Sequence, residues 1–149
     1  MIEGIKVAGR QTELKFQNHI IDSYKFQGGH AAKWGSEFQK GKPDLICALP
    51  KWGVHLLEVK HLPLFGSKQQ RVRNALSEKQ QDECKLYLNA GGIVFAAVVG
   101  YGTHSRDAKL GLFHALIGDW FASDTFWVDY VAGKGFDMNE AMRNTMVRK

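Results

Sequence analysis

Two short apolar segments separated by a turn decide how this chain folds: residues 42–49 read KPDLICAL, and residues 54–60 read VHLLEVK. Both segments are partly β-branched, and this pattern is typical of two strands that are buried on both faces. Three charged side chains interrupt them, namely Asp44, Glu58 and Lys60. Because a buried carboxylate without a partner is strongly unfavourable, we expect these groups to be paired or bound to a metal ion.

The turn between the segments, Pro50-Lys51-Trp52-Gly53, predicts an antiparallel hairpin, because Gly53 can adopt the left-handed conformation that closes a bulged turn. Glu58 and Lys60 are two residues apart on one strand, so they point to the same face. The hairpin sets Asp44 roughly opposite either Glu58 or Lys60, and the turn alone leaves both pairings open. In either case two carboxylates and an ammonium converge on one patch, which suits a hard divalent cation with a lysine beside its water.

The length of 149 residues corresponds to one domain, and no repeat or low-complexity segment divides the chain, so we expect a single domain over residues 1–149. No apolar run approaches the roughly 20 residues that span a bilayer, and no secretory signal pattern opens the sequence, so no membrane partner is expected. The formal net charge of +5 suits a polyanionic partner. Cys47 and Cys84 lack metal-ligand spacing and are expected to be reduced thiols packed as small apolar side chains.

Around the hairpin, the sequence predicts a mixed sheet of four or five strands with helices on both sides. A helix is expected over about residues 13–26, after a short extended arm at residues 1–10. Ser77 caps a second helix that ends near Asn89, and the apolar residues 93–99 form a central strand. Because that helix connects residues 54–60 to residues 93–99, the two strands should pair in parallel. The remaining expectations are loops at 27–42 and 61–75, a strand at 110–117, a turn or helical piece at 119–121, an edge strand at 125–131 and a helix at 139–147.

Further candidate residues surround the three charged groups. Glu13, at the head of the apolar stripe of the first helix, either faces inward toward the acids or is a first-turn acid that favours the helix dipole. Gln80 lies in the first turn of the second helix, where it is either a site residue or a surface glutamine. No acid occurs between Val59 and Ser77. The basic positions are either a solvated surface or contacts for phosphates; they are Lys33, Lys42, Lys68, Arg71, Arg73 and Lys79.

The motif Pro43-Asp44, followed fourteen residues later by Glu58-Val59-Lys60, resembles the signature of the PD-(D/E)xK nuclease superfamily. Ser77-Glu78-Lys79-Gln80 opens a helix that ends in Ala90-Gly91-Gly92, and an apolar strand follows. This arrangement is similar to the glutamine-helix segment of Holliday-junction-resolvase-like and VRR-NUC-like nucleases. Glu13 matches the acid that those relatives often place on the first helix. The resemblance covers residues 11 to 100 and implies a restriction-endonuclease-like α/β core.

The resemblance also implies an activity, that of an Mg²⁺-dependent endodeoxyribonuclease in which Mn²⁺ can substitute. Lys60 would orient or help to deprotonate the attacking water, and Gln80 would contact the substrate phosphate or the same water. The basic residues would hold the DNA backbone, and cleavage would leave a 5′-phosphate and a 3′-hydroxyl. The implied metal ligands are Asp44, Glu58, the Val59 carbonyl and Glu13.

The form of the DNA substrate is a separate question. The sequence contains no recognition helix-turn-helix and no zinc finger, which favours the reading of DNA shape, such as a Holliday junction or another branch. Resolvase-like relatives act as homodimers, and small single-domain nucleases of this kind resemble bacteriophage proteins that work in the host cytoplasm. Two alternatives stay open: a sequence-specific or repair-type nuclease of the same fold, and a non-catalytic DNA-binding domain. One aromatic group is either a dimer surface or part of the core: Trp120, Phe121, Phe126, Trp127 and Tyr130.

Overall fold

The predicted hairpin lies inside the sheet of the protein, whose structure is a computed structural model describing residues 2–34, 42–63, 69–73, 76–101, 108–116 and 119–145. Strand β2 (Leu45–Leu49) pairs antiparallel with β3 (Gly53–Pro63), with Leu45 opposite Leu57 and Leu49 opposite Gly53. Gly53 has a φ of 75° and Lys51 a φ of 83°, so the turn uses the left-handed region as predicted. The hairpin prediction is therefore confirmed.

The helical crossover after the hairpin is also confirmed. Helix α2 (Glu78–Asn89) begins at Ser77, whose side chain accepts a hydrogen bond from the Gln80 N–H, while the Gln80 side chain accepts one from the Ser77 N–H. This reciprocal capping box fixes where the helix begins. The chain then enters β5 (Val94–Tyr101), which pairs in parallel with β3, as a connection through a helix allows.

The rest of the sheet corrects the predicted fold class. Among the described residues the main sheet has seven strands in the order β1-β2-β3-β5-β6-β8-β9 and curls into a half-barrel. The expectation of a restriction-endonuclease-like α/β core with a four- to five-stranded sheet flanked by helices is therefore wrong, although the sheet is mixed. Strands β6 (Lys109–His114) and β8 (Val128–Val131) overlap the strands expected at 110–117 and 125–131. The strands that the sequence did not predict in this sheet are β1 (His30–Lys33) at one edge and β9 (Gly135–Phe136) at the other.

Several elements differ from the predicted ones, and the unexpected strands form because they pair with distant parts of the chain. Helix α1 (Ile2–Phe26) replaces the expected extended arm at residues 1–10. The expected loop over residues 61–75 holds the end of β3 and a strand, β4 (Gln69–Arg73). Strand β4 pairs antiparallel with β7 (Asp119–Ser123), which was expected to be a turn or a helical piece. A 3₁₀ turn precedes β8, which is not an edge strand, and the C-terminal helix α3 spans Met138–Asn144.

The side-chain alternation of the strands gives the structure apolar cores on both faces of the sheet. The larger core packs α1 and α3 against the face that carries Leu57, Val59 and Phe95. The other face carries Leu56 and Val94 and lies under α2. Both cysteines are free and buried, as predicted, Cys47 in the first core and Cys84 in the second. Among the helices that the structure describes, none combines the length and apolar character needed to cross a bilayer.

Candidate active site

The hairpin register brings the two predicted acids together. Because Leu45 lies opposite Leu57, Asp44 immediately before β2 falls beside Glu58 rather than Lys60. The Val59 backbone N–H donates a hydrogen bond of 2.8 Å to Asp44 Oδ2, which holds this carboxyl against β3. Alternation along β3 directs Glu58 and Lys60 to the α2 face, while Val59 enters the opposite core. The choice of partner that the sequence left open is thus settled by the three-residue turn.

Gln80 connects α2 to the acid pair and to the lysine. Its Nε2 donates to Glu58 Oε2 at 2.8 Å, and its Oε1 accepts from Lys60 Nζ at 3.0 Å. The same Oε1 accepts from the Ser77 N–H at 2.9 Å, so the cap of the helix and the site share one side chain. Lys60 Nζ also lies 3.7 Å from Glu58 Oε2. These contacts orient the Lys60 ammonium and one edge of the Glu58 carboxyl group with respect to α2.

The electrostatics of the acid pair favour protonation. Burial, followed by the charge of Asp44, raises the pKa of Glu58 to about 8, and Lys60 opposes this increase. Burial also raises the pKa of Asp44, against the Val59 hydrogen bond. The charge of Glu13 on α1 contributes to both increases, so Glu13 lies within electrostatic reach of the pair. A buried acid beside a partly buried one is unfavourable when both are ionised, unless a positive charge compensates them.

The donor set fits a hard divalent cation. Glu58 is only 2% exposed, and its Oε1 is buried without a hydrogen-bond partner among the described residues. A carboxyl oxygen left in this way, beside a second carboxyl whose pKa is also raised, is suited to a ligand that brings positive charge. The part of the chain that the structure describes contains no group of three or more His, Cys, Asp or Glu side chains placed to hold a metal ion. Metal ligation by Glu13 and by the Val59 carbonyl therefore stays a prediction.

The predicted phosphate contacts are distributed around this site. Lys33 on β1 and Lys79 in the first turn of α2 are exposed. Lys42, two residues before Asp44, donates from Nζ to the Tyr87 hydroxyl at 3.1 Å. Arg71 and Arg73 lie in β4, and Lys68 lies outside the described residues. Of the aromatic group proposed as a dimer surface or core, Phe126 is buried, and Trp127 and Tyr130 pack against the cores while partly exposed.

Sequence reasoning missed two side-chain clusters near the hairpin. Trp34 and Tyr87 pack together with ring centroids 5.2 Å apart, although neither was considered as a site residue. On the α1 side, the Tyr24 hydroxyl lies 2.7 Å from His55 Nε2, and His55 Nδ1 lies 3.0 Å from the Gly53 carbonyl oxygen. Because a carbonyl can only accept, Nδ1 carries the proton and Tyr24 donates to Nε2. Two sequence patterns could have indicated this contact. Tyr24 lies on the apolar stripe of the first helix, and His55 points to the same face of its strand as Leu57.

Comparison with known proteins leaves the family undecided. No protein-family model matches the chain, and no curated protein matches it.

Proposed function

We propose that this protein is a metal-dependent endodeoxyribonuclease with an active site of the PD-(D/E)xK type. The observation that carries the proposal is the convergence of Asp44, Glu58 and Lys60 on the α2 face of the hairpin, with Gln80 joining the lysine to one of the acids. A purely structural ion pair between Glu58 and Lys60 would not explain the second, partly buried acid Asp44, whose charge raises the pKa of Glu58 further. Keeping two acids together lowers the stability of the fold, and an arrangement of this kind is typical of sites that bind a charged ligand.

Mg²⁺, or Mn²⁺ in its place, would be held by the carboxylates of Asp44 and Glu58, with the Val59 carbonyl and Glu13 as further candidate ligands. When bound, the ion would supply positive charge to the scissile phosphate and lower the pKa of an attacking water. The chain itself keeps the acids in position for this ion through the Val59 N–H and the Gln80 side-chain amide. Any proton on either acid must leave when the ion binds, so we expect binding to strengthen as the pH rises.

Lys60 provides the second chemical function of the site. Its ammonium has three N–H donors, and the contact with Gln80 uses one of them. The other donors can hydrogen-bond to the attacking water and to a nonbridging phosphate oxygen, where negative charge increases in the transition state. In-line attack by the water oxygen would form one P–O bond and break the bond to the 3′ oxygen, leaving a 5′-phosphate and a 3′-hydroxyl. Gln80 keeps Lys60 beside Glu58 while this occurs.

DNA is the proposed substrate because the net charge of +5 and the exposed Lys33 and Lys79 near the site favour a polyanion. A branched substrate, such as a Holliday junction, is proposed over a specific sequence, since the sequence has no base-reading motif. Symmetric cleavage of a junction requires two sites, so a homodimer is proposed as the active species. The proposed location of this activity is the cytoplasm, that of the host if the protein is encoded by a bacteriophage.

The direct test uses the full chain with a synthetic four-way junction, a flap and a linear duplex of matched length, with Mg²⁺ or EDTA. We expect Mg²⁺-dependent cleavage of the junction or flap in preference to the duplex, and its loss in Asp44→Asn and Glu58→Gln. Glu78→Gln, which changes an exposed acid in the first turn of α2, is the matched control and should cleave normally. Unchanged cleavage by Glu58→Gln would show that the site assignment is wrong.

A further inference from the structure

A cluster of two aromatic rings and one lysine lies beside the proposed active site, and the proposed mechanism does not use it. The Trp34 and Tyr87 rings are inclined at 58° to each other. Lys42 Nζ lies 5.1 Å from the Trp34 ring centroid and 5.8 Å from that of Tyr87, in addition to its hydrogen bond with the Tyr87 hydroxyl. All three side chains are partly exposed, and both rings rest on the apolar core under α2.

The position of the cluster relative to the acid pair is fixed by one hydrogen bond and by the geometry of α2. The backbone N–H of Trp34 donates to the backbone carbonyl oxygen of Asp44 at 2.8 Å, which extends the pairing of β1 and β2 to the first acid. Tyr87 follows Gln80 by seven residues, so both lie on the same side of α2, about 10 Å apart along the helix axis. In a stacked strand, successive nucleotides are about 3.4 Å apart, so this separation of Tyr87 from Gln80 corresponds to about three nucleotides.

We propose that the Trp34–Lys42–Tyr87 cluster binds an unpaired nucleotide of the DNA strand close to the cut. This inference rests on the proposed nuclease function, because it assigns part of the substrate of that site. Aromatic side chains stack on any base, since every base presents a π face, and a lysine beside them can donate to the adjacent phosphate. The Lys42 ammonium uses one of its three N–H donors on Tyr87, which leaves two for such a contact.

The charges around Lys42 indicate that stacking, rather than phosphate binding, is the main interaction. Glu83 on α2 lies within electrostatic reach of Lys42 and would weaken its attraction for a phosphate. The rings carry no such penalty. In a continuous duplex the bases are stacked on one another and paired, so they cannot reach Trp34 or Tyr87 without being extruded. The cluster would therefore select single-stranded segments, flaps and branch points over linear duplex.

The test measures binding separately from cleavage. The Glu58→Gln protein is titrated with a fluorescein-labelled single-stranded thymidine oligonucleotide, with the same oligonucleotide made of abasic nucleotides, and with a blunt duplex, all at one salt concentration. We expect the abasic oligonucleotide to bind about tenfold more weakly than the thymidine one. Adding Trp34→Leu should weaken thymidine binding to a similar extent and leave abasic and duplex binding unchanged. Tyr87→Phe, which keeps the ring and removes the hydroxyl, should bind thymidine normally.

The matched control is Trp52→Leu, because Trp52 packs on the opposite face and donates from Nε1 to Asn139. It should leave all three affinities unchanged. Equal binding of the thymidine and abasic oligonucleotides by the Glu58→Gln protein would overturn the inference without any further variant, so the result does not depend on the folding of Trp34→Leu. Equal weakening of all three probes by Trp34→Leu would also overturn it. Base-dependent binding without Mg²⁺-dependent cleavage by the unmodified chain would instead support the cluster and contradict the nuclease.

Discussion

Replacement of Glu58 by Gln should make the protein more stable at neutral pH while it abolishes cleavage. Without a metal ion, the folded protein must bury the Glu58 carboxyl beside Asp44, and that burial raises the pKa of Glu58 to about 8. The amide introduced by the substitution has the same shape as the carboxyl, carries no charge and can still accept the hydrogen bond that Gln80 donates at this position. Glu58→Gln thus removes the penalty of the acid and preserves the contact with α2.

The magnitude follows from the two pKa values of this carboxyl. The ordinary pKa is 4.5, so the folded state binds a proton that the unfolded chain has released between pH 4.5 and about 8. Stability is therefore lost as the pH rises through that window. Each pH unit is worth about 1.4 kcal/mol, which gives a penalty of about 3 kcal/mol at pH 7. Glu58→Gln should recover this amount, equivalent to a rise in Tm of roughly 6 to 12 °C for a chain of this size.

The assay is urea unfolding of both proteins in EDTA between pH 5 and pH 9, followed by circular dichroism. The difference in unfolding free energy should be small at pH 5 and grow toward pH 8. Glu78→Gln, which removes an exposed acid from the first turn of α2, should change stability by less than about 1 kcal/mol, and in the destabilising direction. A Glu58→Gln protein that is no more stable than the parent at pH 7, or a difference that is independent of pH, would refute the reasoning.

Three further predictions concern neighbouring side chains. Lys60→Met should lower cleavage by a factor of about 10² to 10⁴ while DNA binding persists, which single-turnover cleavage and fluorescence anisotropy will separate. Gln80→Ala should lower the unfolding free energy by about 1 kcal/mol in urea and also slow cleavage, because it removes the capping box and the contact with Glu58. In the Glu58→Gln protein, the unfolding free energy should rise by about 3 kcal/mol between pH 4 and pH 6.5. Burial lowers the pKa of His55 to about 4, so the folded state binds fewer protons than the unfolded chain in that window. Equal urea midpoints at the two pH values would contradict this.

The parts of the fold that could be predicted are those in which local pattern and tertiary pairing agree. The β2–β3 hairpin has apolar segments and a turn glycine, and α2 has both members of its capping box in the sequence. Strand β1 has only four residues, HAAK. It follows the Gly28-Gly29 turn, which brings it beside β2, and it pairs with that strand. Strand β4 reads QQRVR and is a strand only because β7 pairs with it from about fifty positions along the chain. No local pattern specifies such a long-range pairing.

The candidate site also has parts that the sequence predicted and parts that it did not. The sequence identified Asp44, Glu58 and Lys60 because charges in an apolar strand pair are unusual. It could not choose the partner of Asp44, since that depends on a turn of three residues and a glycine at positive φ. It also could not place Trp34 against Tyr87, because they meet only when α2 crosses over the sheet. The pairing of neighbouring strands was therefore predictable, whereas the register of the hairpin and the side-chain contacts between α2 and the sheet required the structure.

The turn and the chemistry of the site are more closely linked than their separation suggests. Along β3, residues His55, Leu57 and Val59 enter the core under α1, while Glu58 and Lys60 lie under α2. A slip of one residue in the pairing of β2 and β3 would exchange the two faces and bury both charges under α1. On the face opposite the acids, the Tyr24 hydroxyl donates to His55 on β3 and also interacts with the thiol of Cys47, the residue of β2 that lies opposite His55, so it contacts both strands of the hairpin. This buried polar network thereby supports the placement of Asp44 beside Glu58 without contacting either of them.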